Sequence, residues 1–426
     1  MDSEEYFLIN GKKPLSGEIE IKGCKNSAVS VIAATLLTKE PCYIHNLPRV
    51  RDVLLMLKII ESLGAKVSRI GKREVKIECK NIDPEKIDKK LVKKLRSSVF
   101  LIGPLISRFK KMSLPQPGGC LIGVRSIDVH IKGFLQLGVK VKTKNDVNFF
   151  SGKKIKAGEV VLSEFSVTAT ENILMASSLL SGKTTIKIAA IEPHVMELSS
   201  VLSKMGAEIK WKKDHTVEIK GQKKLNGFSH FVEYDAVEAG SFIILAGSSG
   251  GDIIIKNVPL DQLSLTIEKL KDFGISIEKI KKNDNVWDIR VIKGKFLPVS
   301  KVQVLPYPGI PTDLQCAFGV LATQNPGETL IHDPMYEGRL KYLNDLNRMG
   351  AEVSILDSHR AIIRGQSSLN GVSIKNYDLR SGASFIIAAL LAEGKSTISN
   401  IYQIDRGYED IEKRLQKIGA DIKRIK

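Results

Sequence analysis

Leu63-Gly64-Ala65 closes a stretch with apolar side chains at helical spacing and opens one in which apolar and polar residues alternate. The phrase returns as Leu137-Gly138-Val139, Met205-Gly206-Ala207, Phe273-Gly274-Ile275, Met349-Gly350-Ala351 and Ile418-Gly419-Ala420, with glycines 74, 68, 68, 76 and 69 residues apart. Glycine suits the position where a helix ends in a left-handed residue and a strand begins. Recurrence at a nearly fixed period marks a repeat architecture.

Working outward, the first copy reads as a strand Gly17 to Ile21, a helix Lys25 to Leu37, a strand Cys42 to Leu47, a helix Asp52 to Leu63, and strands near Lys66 and Val75. The unit is β-α-β-α-β-β. First helices are almost wholly small and aliphatic (28–37, 169–180, 242–246, 383–391), whereas second helices carry a charged face. The first helices therefore belong inside and the second outside. Three units make one α/β domain and three make another, the division falling near Asp235. A length of 426 residues agrees, because one core of that size would exceed what single domains reach.

Composition excludes several classes. The chain is 43% apolar and 26% charged, unlike disordered or fibrous sequences. Five cysteines without a CxxC pair, and seven scattered histidines, point to neither a disulfide framework nor a metal site. The longest apolar runs fall short of a membrane span, and the acidic start Met1 to Tyr6 is unlike a signal peptide, so a cytoplasmic protein is expected. The formal charge of +18 comes mainly from lysines, in clusters that read as solvated faces. Only 6% of residues are aromatic and no nucleic-acid motif is present, so nucleic acid is not expected as a partner.

Arginine is scarce and suited to two-pronged contact with carboxylate or phosphate, so its placement carries information. Arg96 and Arg380 fall at starts of first helices, and Arg125, Arg339 and Arg406 in links entering second helices. Lys25-Asn26 and Asp313 occupy comparable joints. Helix N-termini gathered on one face of each domain attract anions, and a cleft between two such faces would bind phosphates. A polyanionic ligand is expected.

One copy departs from the pattern. Its link runs Pro115-Gln116-Pro117-Gly118-Gly119-Cys120-Leu121-Ile122-Gly123-Val124-Arg125 and is about ten residues longer than the others. Such Pro/Gly density reads as an exposed loop, fit to act as a lid, that carries a thiol. Arg125 nearby would lower the pKa of Cys120 and equip it for proton donation or nucleophilic attack. Cys42, Cys79 and Cys316 read as buried small hydrophobes.

Taken together, Gly23-Cys24-Lys25-Asn26, Leu95-Arg96-Ser97-Ser98, the loop from Pro117 to Arg125, Pro311-Thr312-Asp313, Tyr336-Glu337-Gly338-Arg339, Asp378-Leu379-Arg380 and Ile404-Asp405-Arg406-Gly407-Tyr408 resemble the UDP-N-acetylglucosamine 1-carboxyvinyltransferase (MurA) family of enolpyruvyl transferases. The resemblance spans essentially the whole chain. It implies an EPSP synthase-like fold of two inside-out α/β barrels, 23–234 forming one domain, and 1–22 with 235–426 forming the other. It implies that Lys25, Asn26, Arg125, Arg339, Arg380 and Arg406 line a phosphoenolpyruvate site. Arg96, Arg125, Ser126, Ile127, Asp128, Val129 and Met335 would contact UDP-N-acetylglucosamine, Ser166, Val167 and Thr168 would lie near its diphosphate, and Asp313 would touch the 3′-hydroxyl. Cys120, Asp313, Lys25 and Arg406 would be the catalytic set, with Cys120 the target of fosfomycin. Neither metal nor cofactor is implied.

The sequence departs from the family pattern at four positions. Glu164 stands where lysine is frequent near the diphosphate, Ala236 replaces an arginine after Asp235, and Ile191 and His194 interrupt the usual Arg-Glu-Pro-Glu around Glu192. Either a weaker grip on the sugar nucleotide or a substitute residue elsewhere is expected. Two other readings compete: a 5-enolpyruvylshikimate-3-phosphate synthase, which shares fold and donor, and a non-catalytic paralogue that binds a sugar nucleotide.

Overall fold

The computed structural model describes residues 5–118, 126–292 and 294–426. They form two compact units, 5–22 with 234–426 and 23–118 with 126–233. The repeat is directly visible in both. At all six joint glycines φ is positive, from 84° at Gly138 to 111° at Gly206. Each joint carries the same pair of hydrogen bonds. Gly64 N donates to Glu61 O and Ala65 N to Ile60 O, and Gly419 N to Gln416 O and Ala420 N to Leu415 O. These bonds satisfy the last carbonyls of the helix as the chain turns away, which is why only glycine recurs there.

In the unit of 23–118 and 126–233, one sheet runs Ser229–Phe231, Cys42–His45, Glu74–Glu78, Lys66–Gly71, with a parallel first pair and antiparallel neighbours after it. A second runs Glu159–Val161, Lys183–Lys187, Val217–Lys220, Glu208–Trp211 in the same pattern. A third has three strands among the described residues, Lys111–Pro115, Val147–Ser151, Lys140–Lys144. The helices Lys25–Ala34 and Val167–Ser177 lie in its core, with eight of ten and nine of eleven residues buried.

In the unit of 5–22 and 234–426 the inner helices are Ala236–Ser249, Gln315–Gln324 and Leu379–Leu391, which pack on one another. Twelve of the thirteen residues of Leu379–Leu391 are buried, against two of nine in the second helix Ser264–Asp272. This contrast is what turns each repeat inside out: small aliphatic helices fill the centre and amphipathic helices face water.

The first copy departs from its sequence reading in one respect. The strand read as Gly17 to Ile21 is Ser16–Glu20, and it does not begin the first repeat. It pairs in parallel with Asp252–Val258, as first strand of the fourth repeat. Its place in the first repeat is taken by Ser229–Phe231, parallel to Cys42–His45. Likewise Tyr6–Asn10 lies between Lys395–Ser399 and Asp421–Ile425, antiparallel to both, and supplies the fourth strand of the last repeat. Each of these strands completes a four-stranded sheet.

Candidate active site

In the unit of 5–22 and 234–426, the structure brings Asp313, Arg339 and Arg380 together with their supports. Asp313 lies in the short helix Thr312–Leu314 that leads into Gln315–Gln324. Its carboxylate receives Arg339 Nη2 on Oδ1 and, at 2.9 Å, Arg380 Nε on Oδ2. Arg339 opens the turn Arg339–Tyr342, and Arg380 sits in the first turn of Leu379–Leu391, capped by Asp378, whose side chain accepts from Ser381 N at 2.8 Å. The two guanidinium groups are 3% and 4% exposed, so each requires an anionic partner within the protein. Burial disfavours the Arg339 charge, yet Asp313 and Asp378 more than offset it and its pKa stands above the ordinary arginine value. The same balance of burial against Asp313 and Tyr408 holds at Arg380.

Tyr408 backs this cluster. Its hydroxyl accepts from Arg380 Nη1 at 3.3 Å and pairs with Ser241 Oγ at 3.1 Å. Burial raises its pKa, against the pull of Arg380. Arg406, 5% exposed, follows the helix Tyr402–Asp405 and donates to Gln403 Oε1 at 3.0 Å. Met335 is exposed, and its backbone N–H donates to Asp333 Oδ1 at 2.9 Å, while Thr312 Oγ1 donates to Asp333 Oδ2 at 2.6 Å. Asp333 thus ties the Met335 turn to the residue before Asp313.

The other unit holds a second group. Lys25 is the first residue of Lys25–Ala34, followed by Asn26, and its Nζ lies 3.5 Å from Asp52 Oδ2. Arg96 opens the turn Arg96–Leu101 and donates to Ser126 O at 3.0 Å, which brings it to the segment Ser126-Ile127-Asp128-Val129. Ile127 is buried, whereas Ser126 and Asp128 are exposed. Ser166 caps the helix Val167–Ser177 and accepts from Ala169 N, with Val167 and Thr168 in its first turn. His130 joins the two segments: it lies in the helix Asp128–Gln136, and its Nε2 is 2.9 Å from Thr168 Oγ1. Burial, with Arg96 nearby, drops the His130 pKa to about 3, so it is neutral at physiological pH.

Cys120 and Arg125 lie outside the described residues. Of the remaining thiols, burial pushes Cys42 up to about 12 and Cys79 up to about 11, and it raises Cys316 well above the ordinary value. These three are packing residues with little thiolate character.

Asp52, His130, Asp333 and Tyr408 were not among the residues read as functional from the sequence. Asp52 alone carried a usable signal, a carboxylate between Val50 and Val53 at the start of a second helix, and it is 2% exposed. The contacts of His130 with Thr168, Asp333 with Thr312 and Tyr408 with Arg380 each span more than twenty residues, which no spacing rule reaches.

Comparison with known proteins places this geometry. Residues 9–415 match the family model for EPSP synthase (3-phosphoshikimate 1-carboxyvinyltransferase). The UDP-N-acetylglucosamine 1-carboxyvinyltransferase 3 of Caldanaerobacter subterraneus subsp. tengcongensis is 40% identical over 99% of this chain and 100% of its own. That of Finegoldia magna is 37% identical over 99% of each chain. Among solved structures, the enolpyruvyl transferase NikO from Streptomyces tendae superposes with a TM-score of 0.89 at 21% identity, covering 99% of both chains. EPSP synthase from Acinetobacter baumannii gives 0.75 at 19% identity over 100% of both, a likeness of fold. With repeats, arginine joints and full-length identity in agreement, the chain belongs to the EPSP synthase-like enolpyruvyl transferase family, among the UDP-N-acetylglucosamine 1-carboxyvinyltransferases.

Proposed function

We propose that the protein transfers the enolpyruvyl group of phosphoenolpyruvate to the 3′-hydroxyl of UDP-N-acetylglucosamine and releases phosphate, the entry step of peptidoglycan synthesis. The observation that carries this reading is the carboxylate of Asp313 held between two buried guanidinium groups. Arg339 and Arg380 are thereby aimed at a single place where negative charge is stabilised. A phosphate or carboxylate of the donor would compete for the same N–H groups, with charge-assisted bonds of about 1.5–3 kcal/mol each. Arg406, Lys25, Asn26 and Arg125 are the further cations and donors that the family resemblance implies for phosphoenolpyruvate.

Asp313 is suited to the acceptor hydroxyl. Its side chain is 30% exposed, so an acceptor hydroxyl can reach the carboxylate. In the proposed reaction the 3′-hydroxyl attacks C2 as Asp313 takes its proton, and C3 gains a proton from Cys120. The tetrahedral intermediate then loses a C3 proton and breaks its C2–O bond to phosphate. Proton transfer of this kind contributes typically 10²–10⁴-fold, and the arginines stabilise the departing charge. Arg96, Ser126, Ile127, Asp128, Val129, Ser166, Val167, Thr168 and Met335 are proposed to hold the sugar nucleotide, with neutral His130 bonded to Thr168.

Both substrates are small anions, so neither a membrane nor a nucleic acid is needed. Among the described residues no helix is long and apolar enough to cross a membrane. Phosphate release on mixing phosphoenolpyruvate with UDP-N-acetylglucosamine tests the proposal. Release only with shikimate 3-phosphate would make the protein the sister enzyme, and release with neither acceptor would make it a binding paralogue. Cys120→Ala turning over undiminished at neutral pH would remove Cys120 as the proton donor.

A further inference from the structure

Lys25 has a buried support that lies far from it in sequence. The helix Pro193–Lys204 carries Glu197 and Lys204 seven residues apart, on one face. Between them sits His230, in the strand Ser229–Phe231. Lys204 Nζ is 3.3 Å from His230 Nδ1, and His230 Nε2 is 2.7 Å from Glu197 Oε1. An ammonium can only donate, so Nδ1 accepts and Nε2–H donates to the carboxylate. Glu197, 4% exposed, is held in one orientation by that bond.

The same oxygen, Glu197 Oε1, accepts the backbone N–H of Glu233 at 3.0 Å. Glu233 O in turn accepts the N–H of Cys24 at 2.7 Å. Cys24 is the N-cap of Lys25–Ala34, and its side chain makes no capping bond to the helix. The entry of that helix, and with it the direction in which Lys25 leaves the backbone, is therefore set by main-chain pairing with Glu233. Glu197 fixes Glu233 from the other side. Two hydrogen bonds in series connect a buried carboxylate to the residue that precedes Lys25.

We propose that Glu197, oriented by His230 and Lys204, is a positioning residue for Lys25. The proposal rests on Lys25 binding phosphoenolpyruvate, and the test separates the two. In steady-state phosphate release, Glu197→Ala is expected to raise KM for phosphoenolpyruvate about tenfold, the loss of about one hydrogen bond's worth of positioning. KM for UDP-N-acetylglucosamine should stay within about twofold. Glu197→Gln keeps an oxygen that accepts both N–H groups and should restore KM to within about twofold of the parent. In the Lys25→Ala background, Glu197→Ala should add nothing, because its effect runs through Lys25.

An unchanged KM in Glu197→Ala, an equal loss for both substrates, or full additivity with Lys25→Ala overturns the proposal. If Lys25→Ala itself leaves KM for phosphoenolpyruvate unchanged, the reading of Lys25 fails instead. Should Glu197→Ala not fold, His230→Phe removes the orienting N–H at similar volume. It is expected to raise the same KM about threefold, and an unchanged value overturns the proposal equally.

Discussion

Replacing Asp313 by Asn keeps the side-chain volume and removes the charge that two buried arginines share. Arg339 retains Asp378, whose Oδ1 is 3.8 Å from Nη1, and Arg380 retains the Tyr408 hydroxyl at 3.3 Å. Neither replaces a carboxylate at hydrogen-bond distance. Breaking a buried ion pair from one side costs about 3–5 kcal/mol. Because Asp313 is itself 30% exposed, and an amide oxygen still accepts one of the two bonds, the lower end applies. For a unit of about 200 residues, about 3 kcal/mol lowers Tm by roughly 6–12 °C. Inorganic phosphate should recover part of this loss and stabilise Asp313→Asn more than the parent, since an anion can then occupy both guanidinium groups. Turnover should fall by about 10²-fold or more, as a general base is lost. Scanning calorimetry with and without phosphate, together with phosphate-release kinetics, measures all three. An unchanged Tm, or phosphate stabilising the parent and the variant alike, would refute the idea that Asp313 occupies an anion site.

Two further outcomes are expected. Glu171 lies fully buried in Val167–Ser177, and burial, reinforced by Glu192 and Glu197, raises its pKa well above 4.5. The folded chain therefore keeps a proton that the unfolded chain releases above pH 4.5, and stability declines as pH rises from there through the folded pKa. Glu171→Gln cannot ionise, so its Tm should match the parent at pH 4 and exceed it at pH 8; a difference of the same size at both pH values contradicts this. Gly64→Ala should cost more than Gly394→Ala in urea unfolding. Both positions have positive φ, 104° and 82°, but an added Cβ at Gly64 would stand 2.4 Å from Asn81 O while at Gly394 it meets nothing within 4 Å. The φ penalty alone is about 1–2 kcal/mol, so equal losses would show that the clash is relieved at no cost.

How much of the site could be read beforehand varied with how local its chemistry is. The arginines at helix starts and links were legible because a helix end announces itself within a few residues, and Arg339, Arg380 and Arg406 do stand at such joints. Their convergence was expected only through the family resemblance, and the pairing of Arg339 and Arg380 on Asp313 was not expected. Arg380 is 67 residues from Asp313 and Arg339 is 26, and nothing in either segment names the other. His230 and Glu197, 33 residues apart, are the same case.

The sequence alone determined the six helix-to-strand joints, because a left-handed glycine and its two backbone bonds involve only one turn of chain. It also determined which helices are enclosed, because aliphatic composition on all sides leaves no face for water. Only the tertiary structure decided where the strands Tyr6–Asn10 and Ser16–Glu20 pair, and which carboxylate meets which guanidinium. A backbone edge accepts any strand of suitable length and pattern, and a buried charge is satisfied by whichever partner the packing delivers. Both choices are made between segments remote in sequence, by the shape of the assembled core.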